Sequence, residues 1–211
     1  MDDVHAGGVT SLVLSYNRRF ILTGGPQGEV RLWELRTRDL ISHLKEHKQK
    51  ITAIRLFKDD TLAISGSRDR CMLRWDLRNE KRVHCHMQRM GGINDFVLSS
   101  DDRYLISVGQ DRKIVIWDNN LNDLVNHTWI DGENDEGLAI AISHDGRYIA
   151  TGGSAGILRL WELNLPHEIR FITEVIGHSK AINSVAFSNK DKQVVSVGDD
   201  GSIFIWSFFA N

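Results

Sequence analysis

The chain has 211 residues, 41% of them hydrophobic and 26% charged, which suits one strand-rich globular region with a sizeable core and excludes intrinsic disorder. Its net charge is −2 and its isoelectric point about 6.5, which excludes the global positive field of a generic nucleic-acid or membrane binder. Eighteen Gly against two Pro point to many tight turns, and two Cys are too few for a disulfide framework.

With no apolar run long enough to span a bilayer and no charged-then-apolar leader, a reducing, intracellular setting is expected. In chain order, the first unit is expected over about 5–46. It runs through Phe20-Ile21-Leu22-Thr23-Gly24-Gly25 and closes on Val30-Arg31-Leu32-Trp33-Glu34. The second, 47–88, has Leu62-Ala63-Ile64-Ser65-Gly66-Ser67 and closes on Met72-Leu73-Arg74-Trp75-Asp76. The third, 89–132, has Tyr104-Leu105-Ile106-Ser107-Val108-Gly109 and Ile114-Val115-Ile116-Trp117-Asp118. The fourth, 133–177, has Tyr148-Ile149-Ala150-Thr151-Gly152-Gly153 and Ile157-Leu158-Arg159-Leu160-Trp161-Glu162. The fifth, 178–211, has Val194-Val195-Ser196-Val197-Gly198 and Ile203-Phe204-Ile205-Trp206-Ser207. Successive Trp residues are 42, 42, 44 and 45 apart. Short apolar alternations separated by turns such as Asp145-Gly146 and Asp200-Gly201 predict strands joined by tight reversals.

A period in the low forties, four strands per unit and a closing Trp-Asp resemble the WD40 repeat across essentially the whole chain. The resemblance implies an all-β WD40 β-propeller region over 1–211, with five four-stranded blades of which the last lacks its outer strand. It also implies a buried hydrogen-bonded tetrad in each blade. The complete sets are His47, Ser65, Asp69 and Trp75 in the second unit, and His178, Ser196, Asp200 and Trp206 in the fifth. In the first, His5, Thr23 and Trp33 match and Gln27 takes the Asp place. The third keeps Ser107, Asp111 and Trp117, with Arg89 where His belongs, and the fourth keeps Thr151 and Trp161, with Ala155 at the Asp place. A Ser, His and Asp set that recurs at a fixed offset without a nucleophile elbow is expected to be architecture and not a catalytic triad.

The family usually forms seven blades. Five units without a last outer strand are therefore expected to be the tail of a larger ring, completed by upstream chain or by self-association. A closer resemblance, to cilia- and flagella-associated WD-repeat proteins of doublet microtubules, rests on four phrases in order. These are Gly28-Glu29-Val30-Arg31-Leu32-Trp33-Glu34, Leu44-Lys45-Glu46-His47-Lys48, Asp111-Arg112-Lys113-Ile114 and Val195-Ser196-Val197-Gly198-Asp199-Asp200-Gly201-Ser202-Ile203. It implies a cytoplasmic, non-catalytic scaffold of the ciliary or flagellar axoneme that binds tubulin or other axonemal proteins. The alternative is a generic adaptor, such as a ubiquitin-ligase substrate receptor or a chromatin-complex subunit.

Loops that enter such blades and carry the tetrad Asp form their top face, which places Lys45, Lys48, Lys50, Arg68, Arg70, Arg112 and Lys113 in a basic arc over blades two and three. Such an arc suits an acidic protein surface, because Arg and Lys steer and fork onto carboxylates; the competing reading is a solvated charged face with Glu46, Asp59 and Asp60 nearby. The acidic stretch 128–137 holds Trp129, the one Trp outside the repeat, and reads as an interaction loop or as Trp129 packed on an outer strand with the acids of the stretch solvated. Its Gly spacing after Asp131 does not fit a calcium loop. His84-Cys85-His86 alternates faces on an outer strand instead of gathering around zinc. Neither metal nor cofactor is expected, and the nucleic-acid platform pattern is absent. Arg18-Arg19 and Lys190-Asp191-Lys192 read as solvated hairpin turns.

Overall fold

The computed structural model describes residues 5–87, 91–121, 124–130 and 135–208, and among them every regular element is a strand. Strands β1 (Ser11–Leu14), β2 (Phe20–Gly24), β3 (Glu29–Glu34) and β4 (Leu40–Lys45) pair in chain order as the first sheet. The second comprises β5 (Ile51–Leu56), β6 (Leu62–Ser67), β7 (Cys71–Asp76) and β8 (Lys81–Met87). In the third are β9 (Ile93–Leu98), β10 (Tyr104–Gly109), β11 (Lys113–Asp118) and β12 (Leu124–Trp129), and in the fourth β13 (Gly137–Ile142), β14 (Tyr148–Gly153), β15 (Ile157–Asn164) and β16 (Glu168–Ile176). The fifth has three strands, β17 (Ile182–Phe187), β18 (Gln193–Gly198) and β19 (Ile203–Ser207). All pairings are antiparallel, and each sheet is one propeller-type blade.

The β1–β2 reversal and its counterparts in later blades need a left-handed residue. Arg18, Asp60, Asp102 and Asp191 supply it at φ between 55° and 57°, and Gly146 at 74°. The third strand of each of the first four blades is apolar and buried on both faces, whereas outer strands such as β8 and β12 alternate exposed with half-buried residues.

The chain divides into two compact units, Met1–Ile93 and Asn94–Asn211. In the first, blades 1 and 2 share a core that includes Leu22, Val30, Ile51, Ile54 and Leu56. In the second, Val108, Ile114, Ile140 and Ile149 join blades 3 and 4, and Ala150, Leu158, Ile182 and Val185 join blades 4 and 5. Fully burying one such aliphatic side chain contributes roughly 1.5–3 kcal/mol.

These junctions work by size complementarity. A Cβ on Gly24 would stand 2.5 Å from Ile51 Cγ2, and one on Gly152 would stand 2.5 Å from Ile182 Cγ2. Between blades 3 and 4 the sizes are exchanged, and Val108 Cβ sits 2.7 Å from where a Cβ on Gly137 would be. A second device is a carboxylate clasp at the turns. Asp60 accepts the Tyr16 and Asn17 backbone N–H groups at 2.8 Å each, and Asp191 accepts those of His144 at 3.0 Å and Asp145 at 3.2 Å. In both pairs the later blade provides the acid.

The stretch 128–137 corrects the sequence reading, because it does not stand wholly outside the repeat. Thr128 and Trp129 end β12, opposite Ile114 and Lys113, and Gly137 opens β13. Asp131 and the rest of 131–134, on which the calcium question turned, lie outside the described residues.

Candidate functional site

In blades 2 and 5 a His, an Asp, a Ser and a Trp side chain are joined by hydrogen bonds. In blade 2, His47 Nδ1 lies 2.9 Å from Asp69 Oδ2, His47 Nε2 lies 2.8 Å from Ser65 Oγ, and Trp75 Nε1 donates to the same Oγ at 2.8 Å. In blade 5, His178 Nδ1 lies 3.0 Å from Asp200 Oδ1 and its Nε2 2.8 Å from Ser196 Oγ, which also takes Trp206 Nε1 at 2.9 Å. The carboxylate fixes the tautomer: Nδ1–H donates to Asp, so Nε2 accepts the serine hydroxyl, whose oxygen accepts the indole N–H.

Burial alone would raise the Asp69 carboxyl, but hydrogen bonds from His47 and the Lys48 and Cys71 amides outweigh it and hold it at about 2. Asp200 is likewise held at about 2, first by the Ser202 amide and then by His178. Both therefore stay ionised and keep their loops pinned. Ser65 and Ser196 are fully buried with their hydroxyls engaged on both sides, which leaves neither free to attack a substrate.

Blades 1 and 4 put other residues in the places that the tetrad leaves open. In blade 1 the acid is Glu29 and not the exposed Gln27: His5 Nδ1 lies 2.8 Å from Glu29 Oε1, and His5 Nε2 lies 2.9 Å from Thr23 Oγ1. Trp33 Nε1 donates to that hydroxyl at 2.9 Å. The signal in the sequence was a lone Glu opening an apolar third strand.

Blade 4 keeps Trp161 on Thr151 at 3.0 Å, while a buried ion pair replaces the His and Asp. Asp135 accepts Arg159 and the Ala155 amide, and Arg159 Nε reaches Glu174 Oε2 at 3.1 Å. Both Asp135 and Arg159 are only 2% exposed. Sequence reasoning missed this pair because the two residues are 24 apart and neither occupies a tetrad place. Blade 3 retains Trp117 on Ser107 at 2.9 Å; Arg89, at its His place, lies outside the described residues.

The basic candidates fall on both units. On the first, Lys48, Lys50 and Arg70 are exposed and Arg68 half-buried near Asp69, with the Arg68 amide on the Lys50 carbonyl at 3.1 Å, while exposed Lys45 ends β4 of blade 1 opposite Glu29. Glu46 beside them is drawn off by Arg82 at 2.6 Å. On the second unit Arg112 and Lys113 are half-buried, and Lys113 Nζ lies 4.3 Å from the centre of the Trp129 ring. Trp129 is 56% exposed, so it stands proud of its strand and does not pack into it. On β8, His84 and His86 are half-buried and Cys85 exposed, as the alternation required. The Cys71 thiol is pushed up to about 12 by burial, Asp69 and Cys85, and is held protonated. Among the described residues no three His, Cys, Asp or Glu side chains gather for a metal.

The family model described as "WD domain, G-beta repeat" matches residues 3–34, 38–76, 79–118, 127–162 and 169–207. The chain belongs to the WD40 family. Four of the five WD40 matches end on the last residue of a blade's third strand and the fourth match ends two residues before it, which ties the repeat to the observed sheets. The chain is 27% identical to cilia- and flagella-associated protein 52 of Bos taurus over 99% of its length and 33% of that protein's. It is 30% identical to the Chlamydomonas reinhardtii protein of the same name, again over 99% and 33%. The "U3 snoRNP-associated protein-like EMB2271" of Arabidopsis thaliana is 25% identical over 84% of the chain and 31% of its own length. The chain thus spans about a third of the length of these WD40 relatives.

Proposed function

We propose that this WD40 chain is a non-catalytic protein-interaction scaffold of the ciliary or flagellar axoneme, in the cytoplasm, that binds tubulin or other axonemal proteins. The observation that supports this most is similarity over 99% of the chain to cilia- and flagella-associated proteins from both a mammal and an alga. The tetrads support the non-catalytic part, since their hydroxyls are buried and saturated by the histidine and indole. Binding is assigned to the loops that carry Lys48, Lys50, Arg68 and Arg70 on the first unit, which suit a surface rich in carboxylates, and on the second unit, taken by itself, to the strand ends that carry Lys113 and Trp129.

Co-sedimentation with salt-stripped axonemes tests the reading. The chain is expected to pellet with axonemes at low salt, and the Lys48→Ser/Lys50→Ser/Arg68→Ser/Arg70→Ser variant to lose at least about tenfold in affinity while remaining folded. Equal pelleting of variant and wild type would remove the basic loops from the binding surface. No pelleting of either would sink the axonemal reading and favour a general adaptor.

A further inference from the structure

At the end of blade 1 away from the His5–Glu29 contact, the β1–β2 and β3–β4 turns lie side by side, tied by the Leu35 amide donating to the Arg19 carbonyl at 2.8 Å. A cleft of about 460 Å³ opens there, lined by Arg18, Arg19, Glu34, Leu35 and Arg36. Glu34 is half-buried and the other four are exposed.

The turn chemistry of this blade removes negative charge from the cleft without changing the backbone. In blades 3 and 4 the turn is closed by Asp101 and Asp145, which accept the Ser99 and Ser143 hydroxyls at 2.6 Å and the Arg103 and Arg147 amides at 3.1 and 2.9 Å. Asn17 accepts the same two bonds in blade 1, from the Ser15 hydroxyl at 2.9 Å and the Arg19 amide at 2.8 Å, through a neutral amide oxygen. The next place is left-handed in every blade and holds Asp60, Asp102, Gly146 or Asp191 elsewhere, but Arg18 here at φ 57°. Gly, Asn and Asp are the residues that this conformation favours, so Arg18 is held there against local preference.

The guanidiniums of the cleft are not consumed by internal ion pairs. Arg82, Arg103, Arg159 and Arg170 each sit on a carboxylate. Among the described residues Arg18 and Arg36 share none, and the Arg19 guanidinium lies 5.6 Å from the centre of the Phe20 ring. Of the acids nearby, Asp60 is engaged by the Tyr16 and Asn17 amides, and Glu34 Oε2 accepts the Thr37 hydroxyl at 3.3 Å.

We propose that this cleft binds a phosphorylated side chain of a protein partner, with Arg18, Arg19 and Arg36 on the phosphoryl oxygens. Guanidiniums fork onto phosphate oxygens in pairs, and a phosphate carries more charge and more acceptor oxygens for three of them than one carboxylate does. Glu34 is placed to accept a backbone N–H of the bound segment, and Leu35, 40% exposed, offers an apolar contact to the residue beside the phosphate. The cleft is at the opposite end of the blade 1 strands from Lys45, so it is separate from the basic loops proposed above and does not rest on the axonemal reading.

Fluorescence anisotropy on the 211-residue chain tests this, with a labelled peptide pool that has one fixed phosphoserine between randomised flanks, and with the same pool carrying serine. The phosphorylated pool is expected to bind at least about tenfold tighter than the serine pool, and Arg18→Gln/Arg36→Gln to remove that difference. Arg18→Lys/Arg36→Lys keeps the charge but not the fork and is expected to lose part of the affinity. Asn17→Asp restores the carboxylate of the other blades within an unchanged turn. It is expected to weaken phosphopeptide binding at least about threefold with the melting temperature unchanged, a split that a purely structural role of the turn would not give. The Lys48→Ser/Lys50→Ser/Arg68→Ser/Arg70→Ser variant is expected to bind the phosphorylated pool as wild type does, which separates this site from the axonemal reading. Circular dichroism checks folding. The proposal is overturned if wild type binds neither pool or both alike, if folded Arg18→Gln/Arg36→Gln or Asn17→Asp binds as wild type, or if Arg18 and Arg36 hold phosphoinositide vesicles and not the peptides.

Discussion

His5 Nδ1 and Glu29 Oε1 lie 2.8 Å apart in a buried contact between residues 24 positions apart in the chain. The corresponding His and Asp of blades 2 and 5 are 22 apart, so a longer side chain from two residues further on closes the same bond. Burial works against the Glu29 carboxyl, but its own backbone amide, His5 and the Gln27 amide together hold its pKa below the usual range. Replacing Glu29 with Ala is expected to cost about 1–3 kcal/mol by stranding the His5 donor, while Gln27→Ala, exposed, stays within roughly 0.5 kcal/mol. Urea unfolding of the two variants checks the assignment, and an equal loss in both would refute it.

Thr23→Val keeps the shape of the side chain but removes the hydroxyl that serves both His5 Nε2 and Trp33 Nε1. The loss expected in chemical denaturation is about 1–3 kcal/mol for each stranded group. A near-neutral result would mean that water replaces the hydroxyl.

For acid stability the sign follows from the depressed carboxyls. Asp69 and Asp200 are held at about 2 in the fold against an ordinary value of 3.8. Their contribution is fully present above 3.8 and is lost as pH falls through about 2. Urea midpoints of wild type should therefore drop steeply below about pH 4, while Asp69→Asn starts lower and shows a shallower drop. Parallel pH profiles would show that Asp69 does not contribute.

In blade 4, Asp135→Ala leaves Arg159 buried with only the partly exposed Glu174 for company, and is expected to cost about 3–5 kcal/mol. Asp135→Ala/Arg159→Leu should recover part of that loss, since two neutral groups avoid an uncompensated charge. A double-mutant cycle with no coupling would contradict the ion pair.

Junction packing is open to an exchange test. Gly24→Val alone meets Ile51 at 2.5 Å already at its Cβ, and overpacking of this kind costs typically about 1–3 kcal/mol. Adding Ile51→Gly reproduces the Val108 and Gly137 pair found between blades 3 and 4 and should restore part of the melting temperature. If the double variant is less stable than the sum of the single changes, size exchange does not govern these junctions.

The sequence by itself determined the repeat, the strand grammar and the tetrads of blades 2 and 5, because those depend on alternation, turn residues and fixed offsets along one short stretch of chain. It could not show that Glu29 replaces Gln27, that Asp135 meets Arg159, or that Trp129 ends a strand with Lys113 over its ring. Each of those depends on which side chains a given register brings face to face, and register reaches across 16 to 24 residues of intervening chain. The exposed Leu12 and Ile203 make the same point in reverse. In the sequence they match their buried counterparts Ile54 and Val30, and only the tertiary structure decides which of these equivalent faces has a neighbour, because burial belongs to the packing of sheets and not to the residue.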